Sequence, residues 1–333
     1  MASLNNPVFK VVVITRTQKY EYDLLNSHII TDLTMSDDVD SLAKEVNITC
    51  YNKSLDGKSL AGRITVNDKL YIYANTGSGY FEIFRGVIWE RNRSASTENT
   101  VSFTAYDYLI YAMKSEDYFY YKNGLSTKEI MKKICSAWKL KLKYNYGSIK
   151  NKRIKPVQKS IGDMMVYVLN KAKSKLGKRY ILTIEGTTVV VKYTAKNSRI
   201  YKLEEGKNVI SVELKLTLDD VVTKIKIYGE EKKNSIPKLA TLSKNTSQYG
   251  TIQEIMDKDK KEKLSKVKKT AQKKLKENAK AKHEYTITAI SNPRIKRGDT
   301  VYIGCGTAGI KGNRVVKNIT HDCVAGTMDI TLY

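Results

Sequence analysis

Apolar and polar residues alternate in short runs through the first third of the chain. An alternation with a period of two is typical of strands that bury one face, and residues 46–51 show it clearly. Residues 75–79 contain two glycines and separate two further runs, as the turn of a long antiparallel hairpin does. The sequence therefore predicts a barrel or sandwich, with strands over residues 8–14, 46–51, 70–74, 80–89 and 101–107.

The period changes to that of a helix after this region. Ser126 fits an N-cap with Glu129 three residues later, and Ile130, Ile134 and Trp138 follow at helical spacing. A change of period within one chain is typical of an inserted α+β segment. We predict such an insertion, with helices from Ser126 and over residues 161–176 and a hairpin over residues 180–184 and 188–193.

Strand patterns return near residue 209 and continue to residue 332, interrupted by one Lys-rich segment. That segment, residues 252–282, places its apolar residues near one stripe, which predicts a long helix with a thin buried face. The surrounding strands predict a second small barrel. They cover residues 209–216, 221–228, 285–289, 299–303, 313–319 and 327–332.

The predicted fold class is therefore mainly β with an α+β insertion. A chain of 333 residues exceeds one ordinary core, so two or three domains are expected. No window approaches the roughly 20 apolar residues of a membrane-spanning helix, and no charged leader precedes a long apolar run near residue 1. We expect synthesis and folding in a cytoplasm, without a membrane.

The formal net charge of +25 is unevenly distributed along the chain. Residues 1–112 carry 11 Lys and Arg against 13 Asp and Glu, whereas residues 113–333 carry 48 against 21. Residues 113–180 and 258–282 hold most of the excess. Such blocks favour a polyanionic partner, an acidic protein surface or simple solubility, and a solvated basic face is as good an interpretation as a binding surface.

The sequence offers little chemistry for catalysis or metal binding. The three histidines lie at no metal-ligand spacing, and the four cysteines form no close pair. His321, Asp322 and Cys323 contain a possible Cys–His pair, but neighbouring strand positions point to opposite faces, which favours a structural histidine. We therefore predict no enzyme and no cofactor. Adjacent carboxylates, which are commoner in turns and caps than in cation sites, occur at Asp37, Asp38, Asp219 and Asp220.

Basic and aromatic residues are interleaved between residues 118 and 146, a pattern that suits single-stranded nucleic acid. Tyrosine is abundant throughout, however, and the alternating Lys and Leu at residues 139–143 also fit an amphipathic strand. A solvated sheet face is the favoured interpretation. A nucleic-acid-binding protein that uses residues 113–180 and 258–282 remains an alternative function.

The order of several short motifs resembles that of a known family. The motifs are FRGVI at residues 84–88, AYDYL at 105–109, NGLS at 123–126 and the closing segment over residues 319–332. With them the chain resembles the baseplate hub proteins of contractile phage tails, in the branch found in defective prophages and tail-like bacteriocins of Gram-positive bacteria. The similarity covers nearly the whole chain.

This resemblance implies a homotrimer in which each chain contributes two barrels related to the tail-tube fold. Three chains would form a ring of six barrels that adapts a sixfold tube to a threefold spike. The implied partners are the tail tube protein, the central spike protein and other baseplate proteins, within a virion or tail-like particle, with nucleic acid only in passage. The implied domains are a first barrel over residues 1–112, an insertion over 113–206, and a second barrel over 207–333 with a helical excursion over 252–282.

A barrel that joins its neighbours edge to edge needs strand edges that a partner can pair. The hairpin between Tyr71 and Trp89 is the candidate for this contact. The difference in charge between the N-terminal domain and the rest of the chain is the candidate for setting the order of neighbours around the ring. The predicted inter-subunit edge comprises Tyr71, Tyr73, Tyr80, Phe84 and Trp89, and the predicted basic contact surface comprises Lys128, Lys132, Lys133, Lys268 and Lys269.

A cell-wall hydrolase within the tail tip is a further alternative. It would need two carboxylates about 5–10 Å apart across a cleft, a distance that sequence does not give.

Overall fold

The computed structural model describes residues 7–15, 19–23, 29–55, 57–94, 99–230, 235–258 and 262–333. The described residues belong to two compact units. Unit 1 is drawn from Met1–Glu213 and Thr286–Tyr333, and unit 2 from Leu214–Tyr285. Strands predominate, and helices are concentrated between residues 109 and 176 and in unit 2, so the predicted fold class, mainly β with an α+β insertion, is confirmed.

The N-terminal strands of unit 1 share one core. Along β4, Val46, Ile48 and Cys50 are buried while their neighbours are not, which is the alternation that the sequence shows. The same residues pack with inward side chains from the other long strands of this set. The elements are β1 (Val8–Ile14), β2 (Lys19–Asp23), β3 (Ile30–Asp37), β4 (Glu45–Tyr51), β5 (Ser54–Leu55), β6 (Lys58–Ser59), α1 (Leu60–Arg63), β7 (Lys69–Asn75), β8 (Tyr80–Arg93) and β9 (Thr100–Asp107).

The inserted segment follows as an α+β layer with a core of its own. Its first long helix begins with the predicted capping box, because the Ser126 side chain accepts from the Glu129 N–H and Glu129 accepts from the Ser126 N–H. Its second ends at Gly177, whose φ is 64°. The elements are α2 (Leu109–Lys114), β10 (Glu116–Tyr121), α3 (Thr127–Ala137), β11 (Lys141–Asn145), β12 (Ile154–Ser160), α4 (Ile161–Leu176), β13 (Tyr180–Glu185) and β14 (Thr188–Tyr193).

The last third of the chain contains the C-terminal strands and, between them, unit 2. The predicted strand over residues 221–228 begins at Lys224, and the other predicted strands are present. The elements are β15 (Tyr201–Glu204), β16 (Val209–Thr217), β17 (Lys224–Tyr228), β18 (Lys238–Ser243), α5 (Thr246–Tyr249), β19 (Gln253–Asp257), α6 (Leu264–Asn278), β20 (Lys282–Ile290), β21 (Thr300–Cys305), β22 (Ile310–Asp322) and β23 (Thr327–Leu332).

One sheet connects the two ends of the chain. Its main path runs β16-β20-β23-β22-β3-β4-β9-β8-β7-β1-β2, and β15 and β21 join beside β22. The central step pairs β22 with β3 in antiparallel register, with Ile319 opposite Asp37 and Asp322 opposite Thr34. The N-terminal and C-terminal strand sets therefore lie side by side in a single hydrogen-bonded layer.

Unit 2 has its own small core. Strands β18, β17 and β19 form a sheet, and α6 packs Val267, Ala271 and Leu275 against Ile225 and Ile227. Three apolar positions four residues apart form the thin stripe that the sequence predicts for this helix. The rest of the helix surface is largely exposed.

The predicted limits of the Lys-rich helix, residues 252–282, are wrong. Residues 253–257 form a parallel strand against β17, with Ile255 opposite Lys226, and the helix begins only after Lys263. Ile252 and Ile255 fit a helical spacing, but pairing with β17 gives this segment its main-chain partners, and that tertiary contact outweighs the local pattern. Residues 259–261 lie outside the described residues.

Candidate functional site

A buried ion pair closes the junction between β3 and the C-terminal strands. Arg297 Nε donates to Asp37 Oδ1 at 2.5 Å, and the two side chains are 7% and 12% exposed. A second Arg297 donor, Nη2, bonds the Leu182 carbonyl at 3.1 Å. One guanidinium thus links the N-terminal strands, the inserted segment and the C-terminal strands.

Side-chain bonds along the same junction add to this link. Val39 N–H donates to Asn318 Oδ1 at 2.9 Å, and the Ser36 and Thr320 hydroxyls lie 3.1 Å apart. Lys44 Nζ lies 3.7 Å from the second oxygen of Asp37. A buried arginine and partly buried polar contacts hold the two strand sets in one arrangement, because leaving such groups without partners costs free energy.

Burial shifts the pKa of two acids in this region. It raises the pKa of Asp107 to about 6. The backbone N–H groups of Lys44 and Leu109 donate to the carboxylate oxygens and lower this pKa, but burial has the larger effect. Burial likewise raises the pKa of Asp299. Both carboxylates accept hydrogen bonds from backbone N–H groups. They therefore stabilise loops and do not face an open cleft.

The run His321, Asp322 and Cys323 does not form a nucleophilic pair. His321 is 2% exposed and its Nδ1 lies 2.9 Å from Ser291 Oγ. Burial, with the charge of Lys44, lowers the pKa of His321 to about 4, and burial raises the pKa of the Cys323 thiol far above its usual range. A buried thiol in this state is not a thiolate nucleophile, and the structural reading of His321 is supported.

The adjacent carboxylates are placed in the fold as turn and pairing residues. Asp37 is tied to Arg297, Asp38 accepts from the Asp40 N–H, and Asp219 accepts from the Thr217 hydroxyl. Within the described ranges, no group of three His, Cys, Asp or Glu side chains could hold a metal ion. The described helices are all too short or too polar to cross a membrane.

The predicted inter-subunit edge needs correction at the level of main-chain pairing. Tyr71 and Tyr73 lie on β7, which bonds β1 on one side and β8 on the other, and Trp89 lies where β8 pairs β9. These positions are interior to the sheet, so the prediction of a strand edge there is wrong. Phe84 is 2% exposed and belongs to the core. Tyr80, 47% exposed, is the one residue of this set with a largely open side chain, and its contact with a neighbour stays a prediction.

The predicted basic residues are exposed, and they fall in two places. Lys128, Lys132 and Lys133 lie on α3 in unit 1, where Lys128 and Lys132 are one helical turn apart. Lys268 and Lys269 lie on α6 in unit 2. The two groups belong to different units, and their role as contact surfaces stays a prediction.

Two features of the structure were not predicted from the sequence. Nothing in the sequence around Arg297 indicates that it forms an ion pair, because its partner Asp37 is 260 positions away. Leu214, Leu216 and Leu218 are 47%, 62% and 46% exposed, although the alternation around them predicts a strand that buries one face. The repeating Leu-polar-Leu pattern is visible in the sequence, but nothing local distinguishes a strand face that is buried from one that is exposed.

Comparison with known proteins assigns the family. A family model described as YQBQ-like matches residues 33–333. The chain belongs to the YQBQ-like family. One relative is the phage-like element PBSX protein XkdQ of Bacillus subtilis, which is 26% identical over 245 residues, covering 72% of this chain and 74% of that protein.

Solved structures share the fold over almost the full length. A tail protein from Neisseria meningitidis MC58 superposes with a TM-score of 0.68 at 13% identity, covering 97% of this chain and 96% of that one. The 43 kDa tail protein of prophage MuSo2 from Shewanella oneidensis gives a TM-score of 0.66 at 10% identity, covering 98% and 97%. The chain thus shares its family and its fold with proteins named as parts of phage tails or phage-like elements, and the resemblance to such proteins that the sequence predicts is confirmed at that level.

Proposed function

We propose that this chain is the structural hub of a contractile-tail baseplate, whose copies form a threefold ring between a sixfold tail tube and a threefold central spike. The observation that supports this most is the pairing of β3 with β22, which places the two strand sets next to each other in one sheet. A chain with two strand sets side by side offers two tube-facing positions per copy. Three copies then offer six, which is the match that such an adaptor needs.

The rigidity of this junction is essential to the proposal. A ring that joins two symmetries transmits load through each chain, so its two strand sets must not hinge. Asp37 and Arg297 lie at the junction with little exposure, and Arg297 also binds the inserted segment through Leu182. The chain then acts as a rigid pair of strand sets, without any catalytic role.

The contact between copies is proposed at strand β16, the first strand along the path of the large sheet. Leu214 and Leu216 alternate on it, and Leu218 continues the same spacing just beyond its end. Alternate residues of a strand point to one side, so these three leucines form an apolar stripe, here called the leucine stripe. An exposed apolar stripe on a terminal strand is a surface that another chain commonly covers. A second copy of this chain is the proposed occupant, because a closed ring needs one repeated contact per copy.

The experiment that tests this contact compares the mass of purified native chain with that of a Leu214→Lys, Leu216→Lys double variant in solution. The proposal predicts a trimer for the native chain and a monomer for the variant. Val324→Lys is the matched control, since Val324 is 50% exposed but lies in the turn after β22. A native monomer, or a double variant that keeps the native mass, would contradict the proposed contact.

A further inference from the structure

An open, largely apolar pocket of about 290 Å³ lies in unit 1 beside the end of α3. Its walls come from Tyr108 and α2, from the residues after α3, from the start of α4 and from Thr187. A volume of this size accepts one large side chain and its flanks, not a whole folded surface. The residues that matter for its chemistry are Tyr108, Tyr111, Trp138, Lys139, Leu140 and Ile161.

Two large aromatic side chains of this pocket are exposed. Tyr111 is 41% and Trp138 is 39% exposed. Tyr111 is also held in place, because its hydroxyl donates to Asn67 Oδ1 at 2.9 Å and its ring meets Trp89 edge to face at 5.6 Å between centroids. Rigid, half-exposed Tyr and Trp rings are the side chains that most often carry the binding energy of protein interfaces.

Lys139 adds an unusual backbone to the pocket wall. Its φ is 53°, in the left-handed region, at the position just after α3 where glycine is the usual residue. The Leu140 N–H donates to the Cys135 carbonyl at 2.8 Å and completes the helix end. A lysine here costs about 1 kcal/mol relative to glycine. Lys139 is also one of the residues that line the pocket, so a lysine with a strained backbone stands at the pocket wall.

The segment that supplies Trp138, Lys139, Leu140 and Ile161 to the pocket is strongly basic. Residues 113–180 contain 18 Lys and Arg but only 4 Asp and Glu. Lys128, Lys132 and Lys133 on the preceding helix are all exposed. The potential over this part of the chain therefore attracts carboxylates and repels a basic partner.

We propose that this pocket, the Trp138 pocket, docks an acidic segment of another polypeptide, which inserts one aliphatic or aromatic side chain between Tyr111 and Trp138 and places a carboxylate on Lys139. A small concave apolar site fits a side chain, whereas single-stranded nucleic acid prefers a flat run of aromatic faces along a groove. This inference does not depend on the ring proposed above.

The test measures binding of a fluorescein-labelled pentapeptide, one leucine flanked by two glutamates on each side, to the full chain by fluorescence anisotropy. Trp138→Ala should weaken binding about tenfold or more, as loss of an anchor does. Lys139→Gly should weaken it several-fold while raising the urea midpoint of unfolding. Val66→Ala is the matched control, because Val66 is 51% exposed and is not among the pocket residues, and it should leave binding unchanged.

The Lys139→Gly variant separates docking from folding, because glycine fits its backbone better than lysine. Equal binding by the native chain and by both pocket variants would overturn the proposal. Equal binding of a peptide with serine in place of leucine would also overturn it, since the pocket would then have no part in recognition. Displacement of the peptide by a short single-stranded DNA that itself requires Trp138 would assign the pocket to nucleic acid instead.

Discussion

Arg297 and Asp37 form a buried ion pair, with Nε and Oδ1 2.5 Å apart, across the junction of the N-terminal and C-terminal strand sets. The two side chains are 7% and 12% exposed, so little solvent is available to replace either partner. The pair ties the end of β3 to the segment between β20 and β21, so its loss should destabilise unit 1.

Removing one member of this pair should destabilise the protein strongly. Asp37→Asn leaves the guanidinium buried without its counter-charge, and breaking a buried pair in this way typically costs about 3–5 kcal/mol. Urea unfolding of unit 1, followed by tryptophan fluorescence, measures the loss. Lys207→Ala breaks the exposed pair with Glu204 and should change stability by less than about 1 kcal/mol. Similar losses for the two variants would contradict the role given to Asp37.

His321 should weaken the fold as the pH falls. Its folded pKa is lowered to about 4 by burial, so the neutral form is the stable one. The stability that neutral His321 contributes is fully present above its unfolded pKa of about 6.5 and is lost as the pH drops towards 4. The free energy of unfolding should fall by about 3 kcal/mol over this range. Asp107 works in the opposite direction, because its raised pKa favours the fold at low pH.

The measurement therefore compares variants rather than the native profile alone. The difference in unfolding free energy between the native chain and His321→Gln should shrink between pH 7 and pH 4. His283→Gln, which changes an exposed histidine, should follow the native chain at every pH. A constant difference for His321→Gln across this range would show that His321 does not titrate with folding.

Gly86 should tolerate no side chain. A Cβ at this position would collide with the Tyr106 carbonyl on the neighbouring strand β9, and backbone cannot move aside as a flexible side chain can. Gly86→Ala is expected to cost about 2 kcal/mol or more. Gly306→Ala is the control, since its Cβ would meet no atom within 4 Å. Equal thermal midpoints for the two variants would disprove the close approach of β8 and β9.

The exposed lysines of α3 should influence assembly through charge. If they help order neighbours, reversal of Lys128, Lys132 and Lys133 to glutamate should slow ring formation, and the native chain should assemble more slowly as salt rises. Light scattering after dilution from mild denaturant follows the rate. An assembly rate that is unchanged by charge reversal and by salt would show that these lysines are only a solvated face.

Affinity for DNA distinguishes a hub from a nucleic-acid-binding protein that uses the same lysines. A hub should show little affinity for a short DNA duplex at physiological salt. Binding that is tight and weakens steeply with salt, through several phosphate contacts, would favour the alternative.

Local signals in the sequence predicted most of the elements, because each half-buried strand or helix repeats its burial with its own period. The alternation in β4 and the capping box at Ser126 are direct examples. Residues 253–257 were assigned to a helix because their partner strand β17 is not visible from a local pattern.

The candidate site was less predictable, since it depends on contacts between distant residues. Phe84 matches an edge aromatic in the sequence, yet its side chain lies on the buried face of β8 and packs in the core. Trp138 fits the buried face of α3 by spacing, but the helix ends at Ala137 and leaves this ring half-exposed beside the pocket. The partner of Arg297 could be found only from the fold.

Cryo-electron microscopy of the purified full chain shows whether the chain forms the proposed ring. The expected particle is a threefold ring in which every copy places its two strand sets side by side, so that six sets surround a central opening. A particle that stays monomeric at high concentration, or a ring whose symmetry is not threefold, would contradict it.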